Sequence, residues 1–202
     1  MWSIAMIPVA FLCGALPFSV WLTKIFLKKD VRQYGDGNPG ATNVFRAGSN
    51  YVGLLALLLD ISKAALPVGL AYFNLEIRGL PIYLIATAPV VGHLFSPFLG
   101  FKGGKALATV LGVWIGLTIW KASLAAAITA ALGIVLLTPT GWAVMLAFAG
   151  ILTSLLIWLP DPILLLVWLT QTLIQVWTHR ADLRQPPRLR PWLADRIGKP
   201  NQ

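Results

Sequence analysis

The sequence predicts an all-α integral membrane protein, a bundle of seven transmembrane helices with its N-terminus outside and its C-terminus in the cytoplasm. Composition, the spacing of apolar runs and the distribution of charge support this fold. Hydrophobic residues make up 57% of the 202 residues, charged residues only 11%, and the mean hydropathy is +0.76. Soluble domains are about 25% charged. The composition therefore excludes a disordered chain, a coiled coil and an ordinary cytosolic enzyme.

Seven apolar runs meet or approach the length of about 20 residues that a helix needs to cross the hydrocarbon. No positively charged segment precedes the first run, so we interpret it as a span and not as a cleavable signal. Pro139 and Pro160–Pro162 mark clear boundaries between later runs. Lys121 marks the weakest boundary, which leaves six spans or a re-entrant segment as alternatives. The runs are 3–27, 52–73, 80–101, 106–120, 122–138, 141–159 and 162–178.

The positive charges fall unevenly on the two sides that seven spans would create. Twelve Lys and Arg residues lie in connections that share one side, whereas the connections on the other side hold only Arg78 and Lys121. Positively charged loops stay in the cytoplasm, which places the C-terminus there. The twelve residues are Lys28, Lys29, Arg32, Arg46, Lys102, Lys105, Arg180, Arg184, Arg188, Arg190, Arg196 and Lys199.

We expect one transmembrane domain over residues 1–180 and a basic cytoplasmic tail, rich in Pro and Arg, over residues 181–202. The net charge of +9 indicates anionic lipids or phosphates as partners. No nucleic acid is expected, because no basic module stands apart from the apolar runs. Cys13 is the single cysteine, which excludes an intramolecular disulfide and a Cys-based zinc site. No residue cluster demands a metal or an organic cofactor.

The first polar segment on the predicted cytoplasmic face, from Tyr34 to Arg46, is rich in glycine. Gly35, Gly37 and Gly40 fit the G-x-G-x-x-G spacing, but a membrane span precedes them where a dinucleotide site needs a strand. Glycines let backbone N–H groups converge on an anion, and nearby side chains add donors. The alternative is a plain turn between two spans. The candidate residues are Gly37, Asn38, Gly40, Thr42, Asn43 and Arg46.

The second polar segment runs from Phe101 to Thr109 and places two lysines around a glycine pair before a helix, a favourable arrangement for binding phosphate. It is not a P-loop, because Leu99 replaces the first glycine and Ala106 replaces the Ser or Thr that would meet magnesium. The alternative is a pair of interfacial lysines that contact lipid headgroups. The candidate residues are Lys102, Gly103, Gly104, Lys105 and Thr109.

Four further ionisable residues stand out. His179 would share the membrane face of both glycine loops, where an imidazole can exchange a proton with a phosphorylated substrate; the alternative is an interfacial residue or a helix cap. Asp60 and Lys63, at i and i+3 in the second run, predict an ion pair, with a role in the site left open. His93 is either a packing residue or part of the wall of the site.

Together these segments resemble the signatures of the bacterial acyl-phosphate:glycerol-3-phosphate acyltransferases, the PlsY family. The resemblance rests on Gly35–Arg46, on Gly92–Phe95 with Phe101–Thr109, and on His179–Arg180, and it extends from about residue 8 to residue 184. It implies an enzyme of the bacterial inner membrane that transfers a fatty acyl group from acyl phosphate to the 1-hydroxyl of sn-glycerol 3-phosphate. The products would be lysophosphatidic acid and phosphate, in the first committed step of phospholipid biosynthesis.

By the same resemblance, the Lys105 loop binds phosphate, and Arg46 and His179 belong to an active site on the cytoplasmic face. Acyl phosphate has a good leaving group, so positioning and charge stabilisation suffice without a strong nucleophile. The expected catalytic residues are Arg46, Lys105, His179 and Asp36. The expected binding residues are Gly37, Asn38, Gly40, Thr42, Asn43, Lys102, Gly103, Gly104, Thr109 and Asp182.

Three positions depart from the family pattern: Asp36 replaces Ser, Ala106 replaces Gly and Asp182 replaces Asn. The two carboxylates would repel phosphate unless an arginine neutralises them. A divergent paralogue, non-catalytic or with another acceptor, is therefore one alternative, and a small-anion transporter is another, although no internal repeat supports transport. The arginines considered as partners are Arg46, Arg180 and Arg184.

Overall fold

The computed structural model describes residues 2–193 of the chain, which are helical almost throughout. The chain divides into two compact units, Met1–Ile119 and Trp120–Gln202. Arg196 and Lys199, two of the charges assigned to the cytoplasmic tail, lie outside the described residues.

The first unit contains the helices that carry both glycine-rich segments. They are α1 (Trp2–Ala15), α2 (Phe18–Leu22), α3 (Ala41–Arg46), α4 (Asn50–Gly69), α5 (Leu80–Leu94) and α6 (Leu107–Thr118). Turns of π-helix at Thr23–Leu27 and Leu70–Asn74 extend α2 and α4, and turns of 3₁₀-helix lie at Val31–Gln33 and Pro97–Leu99.

The second unit contains α7 (Lys121–Leu136), α8 (Thr140–Trp158), α9 (Pro162–Thr178) and α10 (Arg180–Leu183). Two strands of two residues, β1 (Leu137–Thr138) and β2 (Arg188–Leu189), pair antiparallel with Leu137 opposite Leu189. The sequence analysis did not anticipate this pairing, which joins the first part of the predicted tail to the end of α7.

Each of the seven apolar runs forms helix, and the weakest predicted boundary is confirmed. Ile119, at φ +58°, adopts a left-handed conformation that ends α6 before α7 begins. Within residues 2–193, four apolar helical segments are long enough to cross a membrane: Ser3–Leu27, Asn50–Asn74, Leu80–Leu99 and Thr140–Trp158. The helices α6, α7 and α9 are apolar but shorter.

The first apolar run is not one regular helix, because Pro17 interrupts it. Proline has no N–H and disfavours helical geometry in the residue before it. The N–H of Val20, which would reach Leu16 in an unbroken helix, donates to the Pro17 carbonyl at 3.0 Å. Side chains from α4 and from the segment after α5 supply donors at the break: Ser96 Oγ donates to the Ala15 carbonyl at 2.6 Å, and Lys63 Nζ donates to the Leu16 carbonyl at 2.8 Å.

The predicted ion pair between Asp60 and Lys63 is confirmed. Lys63 Nζ lies 2.6 Å from Asp60 Oδ1, and the two residues are only 5% and 2% exposed. Ser19 Oγ donates to the second carboxylate oxygen of Asp60 at 2.9 Å. Charges inside an apolar unit persist when they are paired and hydrogen-bonded, which is the case here.

Glycines allow close contact between the backbones of α4 and α6. A Cβ on Gly112 would overlap the carbonyl oxygen of Ile61, so this crossing requires glycine. Gly69 belongs to the same interface, but a Cβ there would lie 3.6 Å from Gly116 Cα, an ordinary van der Waals contact. Small residues at helix crossings are typical of membrane bundles.

The difference in space for a Cβ at Gly112 and at Gly69 gives a test within one helix interface. We expect Gly112→Ala to lower the melting temperature strongly and reduce the yield of folded protein, because the helices must separate to accommodate the methyl group. We expect Gly69→Ala to be neutral or mildly stabilising, since Ala is the better helix former. Thermal unfolding of both variants in the same detergent measures the difference, and equal losses at the two positions would contradict it.

Candidate functional site

The two glycine-rich segments of the first unit meet at the side chain of Asp36. Its carboxylate accepts hydrogen bonds from Lys105 Nζ at 2.8 Å, from Asn43 Nδ2 at 2.9 Å and from the Asn38 N–H at 3.2 Å. Lys105 and Asp36 thus form an ion pair between residues that are 69 positions apart. Among the described residues, the ion-pair partner of Asp36 is Lys105 and not one of the arginines considered in the sequence.

Arg46 joins this cluster through Asn43. Its Nη1 donates to Asn43 Oδ1 at 3.2 Å, while Asn43 Nδ2 also donates to the Asn38 carbonyl at 3.0 Å. Gly35 adopts φ +58°, and a Cβ on it would overlap both Arg46 Nη1 and Asn43 Oδ1. Glycine at position 35 therefore lets the backbone pass beside the guanidinium, which places Arg46 and Lys105 around one buried asparagine.

The backbone N–H groups of the second loop do not converge on an anion. Those of Gly103–Lys105 donate in turn to the carbonyls of Leu94 and His93, at 2.9 and 3.1 Å, and to Asn38 Oδ1 at 2.9 Å. These bonds attach the loop to the end of α5 and to Asn38, so the three N–H groups are not free for an anion. Any contact of these three residues with an anion is then made by the Lys105 side chain.

The first loop also uses its backbone N–H groups in hydrogen bonds within the loop. The N–H groups of Gly37 and Gly40 donate to the carbonyls of Tyr34 and Asn38, at 3.1 and 2.8 Å. These glycines shape the turn that presents Asp36, and their N–H groups are not directed outward as a pair. Thr42 is exposed on α3, beside this turn.

The remaining candidates of the second loop differ in exposure. Lys102 is exposed, whereas Thr109 is completely buried within α6. Ala106 is buried and adopts φ +62° as the residue before α6. This left-handed conformation favours glycine, which the family pattern has at this position. Alanine in place of glycine therefore has backbone strain as its consequence at this position.

Electrostatics keep Asp36 ionised. Partial burial opposes its charge, but hydrogen bonds from the Lys105 ammonium, from Asn43 and from the Asn38 N–H outweigh this and lower the pKa of Asp36 from 3.8 to about 2. At neutral pH the cluster therefore contains a carboxylate paired with the lysine that the resemblance assigns to phosphate.

His179 and Asp182, the candidates in the second unit, have local partners. His179 ends α9 and is 4% exposed, with its Nδ1 lying 3.1 Å from the Gln175 carbonyl. Asp182 Oδ2 accepts the N–H of Gly141 at 2.9 Å, which satisfies a donor in the first turn of α8. Asp182 thus has a structural contact that its sequence context did not indicate. Among residues 2–193, no group of three or more His, Cys, Asp or Glu is placed to hold a metal ion.

The Asp36–Lys105 pair predicts a pH-dependent effect on stability. Its side chains are 48% and 34% exposed, so we expect Asp36→Asn to lower the free energy of unfolding at pH 7 by under about 1 kcal/mol. Because the pKa of Asp36 is lowered to about 2, the pair stabilises the fold above about pH 4 and loses this contribution as the pH falls towards 2.

Unfolding curves of wild type and Asp36→Asn between pH 7 and pH 2 measure this effect. Asp30→Asn serves as the matched control, because hydrogen bonds from Arg32 also lower the pKa of Asp30 to about 2 without involving Lys105. A penalty for Asp36→Asn that stays constant down to pH 2 would contradict the assignment.

Comparison with known proteins identifies the family. Residues 4–186 match the family model described as glycerol-3-phosphate acyltransferase. A glycerol-3-phosphate acyltransferase of Nitrosospira multiformis is 36% identical over 188 residues, which cover 89% of this chain and 90% of that protein. Relatives of the same name from Anaeromyxobacter sp. (strain Fw109-5) and Pelagibacter ubique are 44% and 45% identical. These matches cover 63% and 55% of this chain, but only 64% and 56% of the relatives' own lengths.

The fold is similar to solved structures of PlsY (YgiH), an integral membrane glycerol 3-phosphate acyltransferase. The glycerol 3-phosphate form matches with a TM-score of 0.82 at 27% identity, and the lysophosphatidic acid form with 0.81 at 26%. Each match covers 91% of both chains. With its long apolar helices, this chain is a multi-pass membrane protein, and it belongs to the glycerol-3-phosphate acyltransferase family.

Proposed function

We propose that this chain transfers a fatty acyl group from acyl phosphate to the 1-hydroxyl of sn-glycerol 3-phosphate, releasing lysophosphatidic acid and phosphate. The observation that carries the proposal is the meeting of Arg46 and Lys105 around Asn43 and Asp36, which gathers cationic groups from two distant loops. The similar PlsY structures hold glycerol 3-phosphate in one case and lysophosphatidic acid in the other, a substrate and a product of the proposed reaction.

Both proposed substrates carry phosphate, so the site must bind anions. The N–H groups of Gly103–Lys105 are already bonded, so the Lys105 ammonium and the Arg46 guanidinium are the groups that hold and orient phosphate in this proposal. An arginine presents a planar fork of donors and a lysine a mobile point charge, a combination that suits two differently shaped substrates, a phosphate ester and an acyl phosphate.

The reaction needs little covalent chemistry from the protein. The 1-hydroxyl oxygen attacks the acyl carbon, the bond from that carbon to the phosphate oxygen breaks, and phosphate leaves with the electron pair. A phosphate oxygen of the substrate takes the hydroxyl proton, so no side-chain base is required. Positive side chains stabilise the charge that develops on the acyl oxygen and on the leaving phosphate.

Asp36 competes with substrate phosphate for Lys105 in this proposal. Its ion pair orders the lysine in the ligand-free protein, and an arriving phosphate replaces the carboxylate as the partner. The exposed pair contributes little to stability, so the exchange costs little free energy. A serine here, as in the family pattern, would leave Lys105 more available to phosphate.

We further propose seven membrane crossings with the active site on the cytoplasmic face of the bacterial inner membrane. The charge distribution supports this orientation, and α6 is the weak point because its 12 residues span only about 18 Å. Residues 1–180 would form the acyltransferase domain and residues 181–202 a cytoplasmic tail, with membrane lipids as the surroundings. The roles of His179 and Asp182 in this reaction stay predictions of the resemblance.

Acyl transfer from palmitoyl phosphate to labelled glycerol 3-phosphate tests the function directly. We expect wild type to form lysophosphatidic acid and Lys105→Ala to lose at least about a hundredfold in kcat/KM, because the substrate phosphate loses a charged partner. Lys24→Ala is the matched control, an exposed lysine of the same unit outside the cluster. His179→Ala should retain appreciable turnover. A fully active Lys105→Ala would contradict the proposal.

A divergent paralogue is the second candidate, and the Asp36–Lys105 pair is the observation that favours it. If wild type is inactive and Asp36→Ser restores turnover, this chain has lost the acyltransferase activity but kept the rest of the site. If all variants are inactive although well folded, the acceptor differs or the role is not catalytic.

A further inference from the structure

A chain of buried polar groups leads from the interior of the first unit to the underside of the Lys105 loop. Lys63 Nζ has three close partners, Asp60 Oδ1 at 2.6 Å, the Leu16 carbonyl at 2.8 Å and His93 Nδ1 at 2.8 Å. An ammonium group has three hydrogens and no lone pair, so it donates to all three. Nδ1 of His93 therefore accepts, and in the neutral imidazole the proton lies on Nε2.

Nε2 of His93 lies against the loop next to Lys105. The position that a Cβ would occupy on Gly104 is 2.5 Å from Nε2 and 3.0 Å from Asn38 Oδ1, the oxygen that accepts the Lys105 N–H. Because Gly104 has no side chain, nothing from it covers the imidazole. The backbone fixes this approach, since the His93 carbonyl accepts the Gly104 N–H.

The Nε2–H donor has no hydrogen-bond partner within residues 2–193, although His93 is only 8% exposed. Nε2 is not among the fully enclosed unpaired side-chain atoms of these residues, so this donor is open to a molecule at the loop. Donors inside proteins are normally paired. The sequence left two alternatives for His93, a packing residue and a residue in the wall of the site. An unpaired donor favours the second, because a residue in the wall can donate to a ligand, whereas a packing residue gains nothing from such a donor.

We propose that His93 binds the phosphorylated substrate through Nε2–H, and that Lys63, held by Asp60 and Ser19, is the positioning residue that fixes its tautomer and orientation. This inference rests on the proposed function, since it needs a phosphate ester beside Lys105. It adds a neutral donor beneath the loop to the two cations around it, at the point where the N–H groups of Gly103–Lys105 are already bonded.

Two variants of His93 distinguish the role of Nδ1 as an acceptor from the role of Nε2 as a donor. The amide of Asn places its oxygen near the position of Nδ1, so His93→Asn keeps the acceptor for Lys63 and loses the outer donor. Gln reaches further, so His93→Gln restores an N–H near the position of Nε2. We expect His93→Asn to raise the KM for glycerol 3-phosphate about tenfold or more with a smaller change in kcat, and His93→Gln to recover most of the loss.

Equilibrium binding of glycerol 3-phosphate and the melting temperature are measured on the same samples, with Lys105→Ala alongside. If wild type does not bind glycerol 3-phosphate, the proposed function fails. If wild type binds it, Lys105→Ala does not and His93→Asn binds normally, only this inference is overturned. Equal losses of stability and binding in both His93 variants would also overturn it, because that pattern marks a structural role.

The tautomer gives a readout that does not depend on activity. ¹⁵N spectra of labelled imidazole show which ring nitrogen carries the proton, and because the chain has two histidines, a His179→Ala sample assigns the signal of His93. A proton on Nδ1 in the wild type would contradict the proposed arrangement.

Discussion

The first unit depends on an ion pair buried inside a membrane protein. Without Asp60, the Lys63 ammonium would be an uncompensated charge in an apolar interior, which is strongly destabilising. The paired lysine serves two further groups. It donates to the Leu16 carbonyl at the break before Pro17, and to His93 below the Lys105 loop. One cation thus connects the interruption of the first apolar run with the surface where the candidate site forms.

At that surface, the backbone and the side chains have different roles. The loops that carry Asp36 and Lys105 use most of their N–H groups internally, which makes them rigid supports and leaves recognition of phosphate to cationic side chains. Under the proposed function, Asp36 has a chemical consequence that a neutral residue would lack, because it competes with substrate for the same lysine. The proposal therefore assigns to the departure from the family pattern at this position a change in the affinity of the site.

Local patterns in the sequence account for the helices, but not for the partners of the candidate site residues. Apolar runs and Pro and Gly boundaries predicted the helical segments, including the boundary at Lys121, and the i, i+3 spacing predicted the Asp60–Lys63 pair. The ion pair of Asp36 with Lys105 joins residues 69 positions apart, a separation at which periodicity carries no information. The positive φ of Ala106 and the β1–β2 pairing likewise arise from tertiary contacts that no local pattern encodes.

The most direct test of this account is a double-mutant cycle on binding of glycerol 3-phosphate, with wild type, Asp36→Asn, Lys105→Met and the double variant. If Asp36 competes with phosphate for Lys105, Asp36→Asn tightens binding about two- to fivefold in the wild-type background and has no effect in the Lys105→Met background. Weaker binding after Asp36→Asn, or the same change in both backgrounds, would contradict the account.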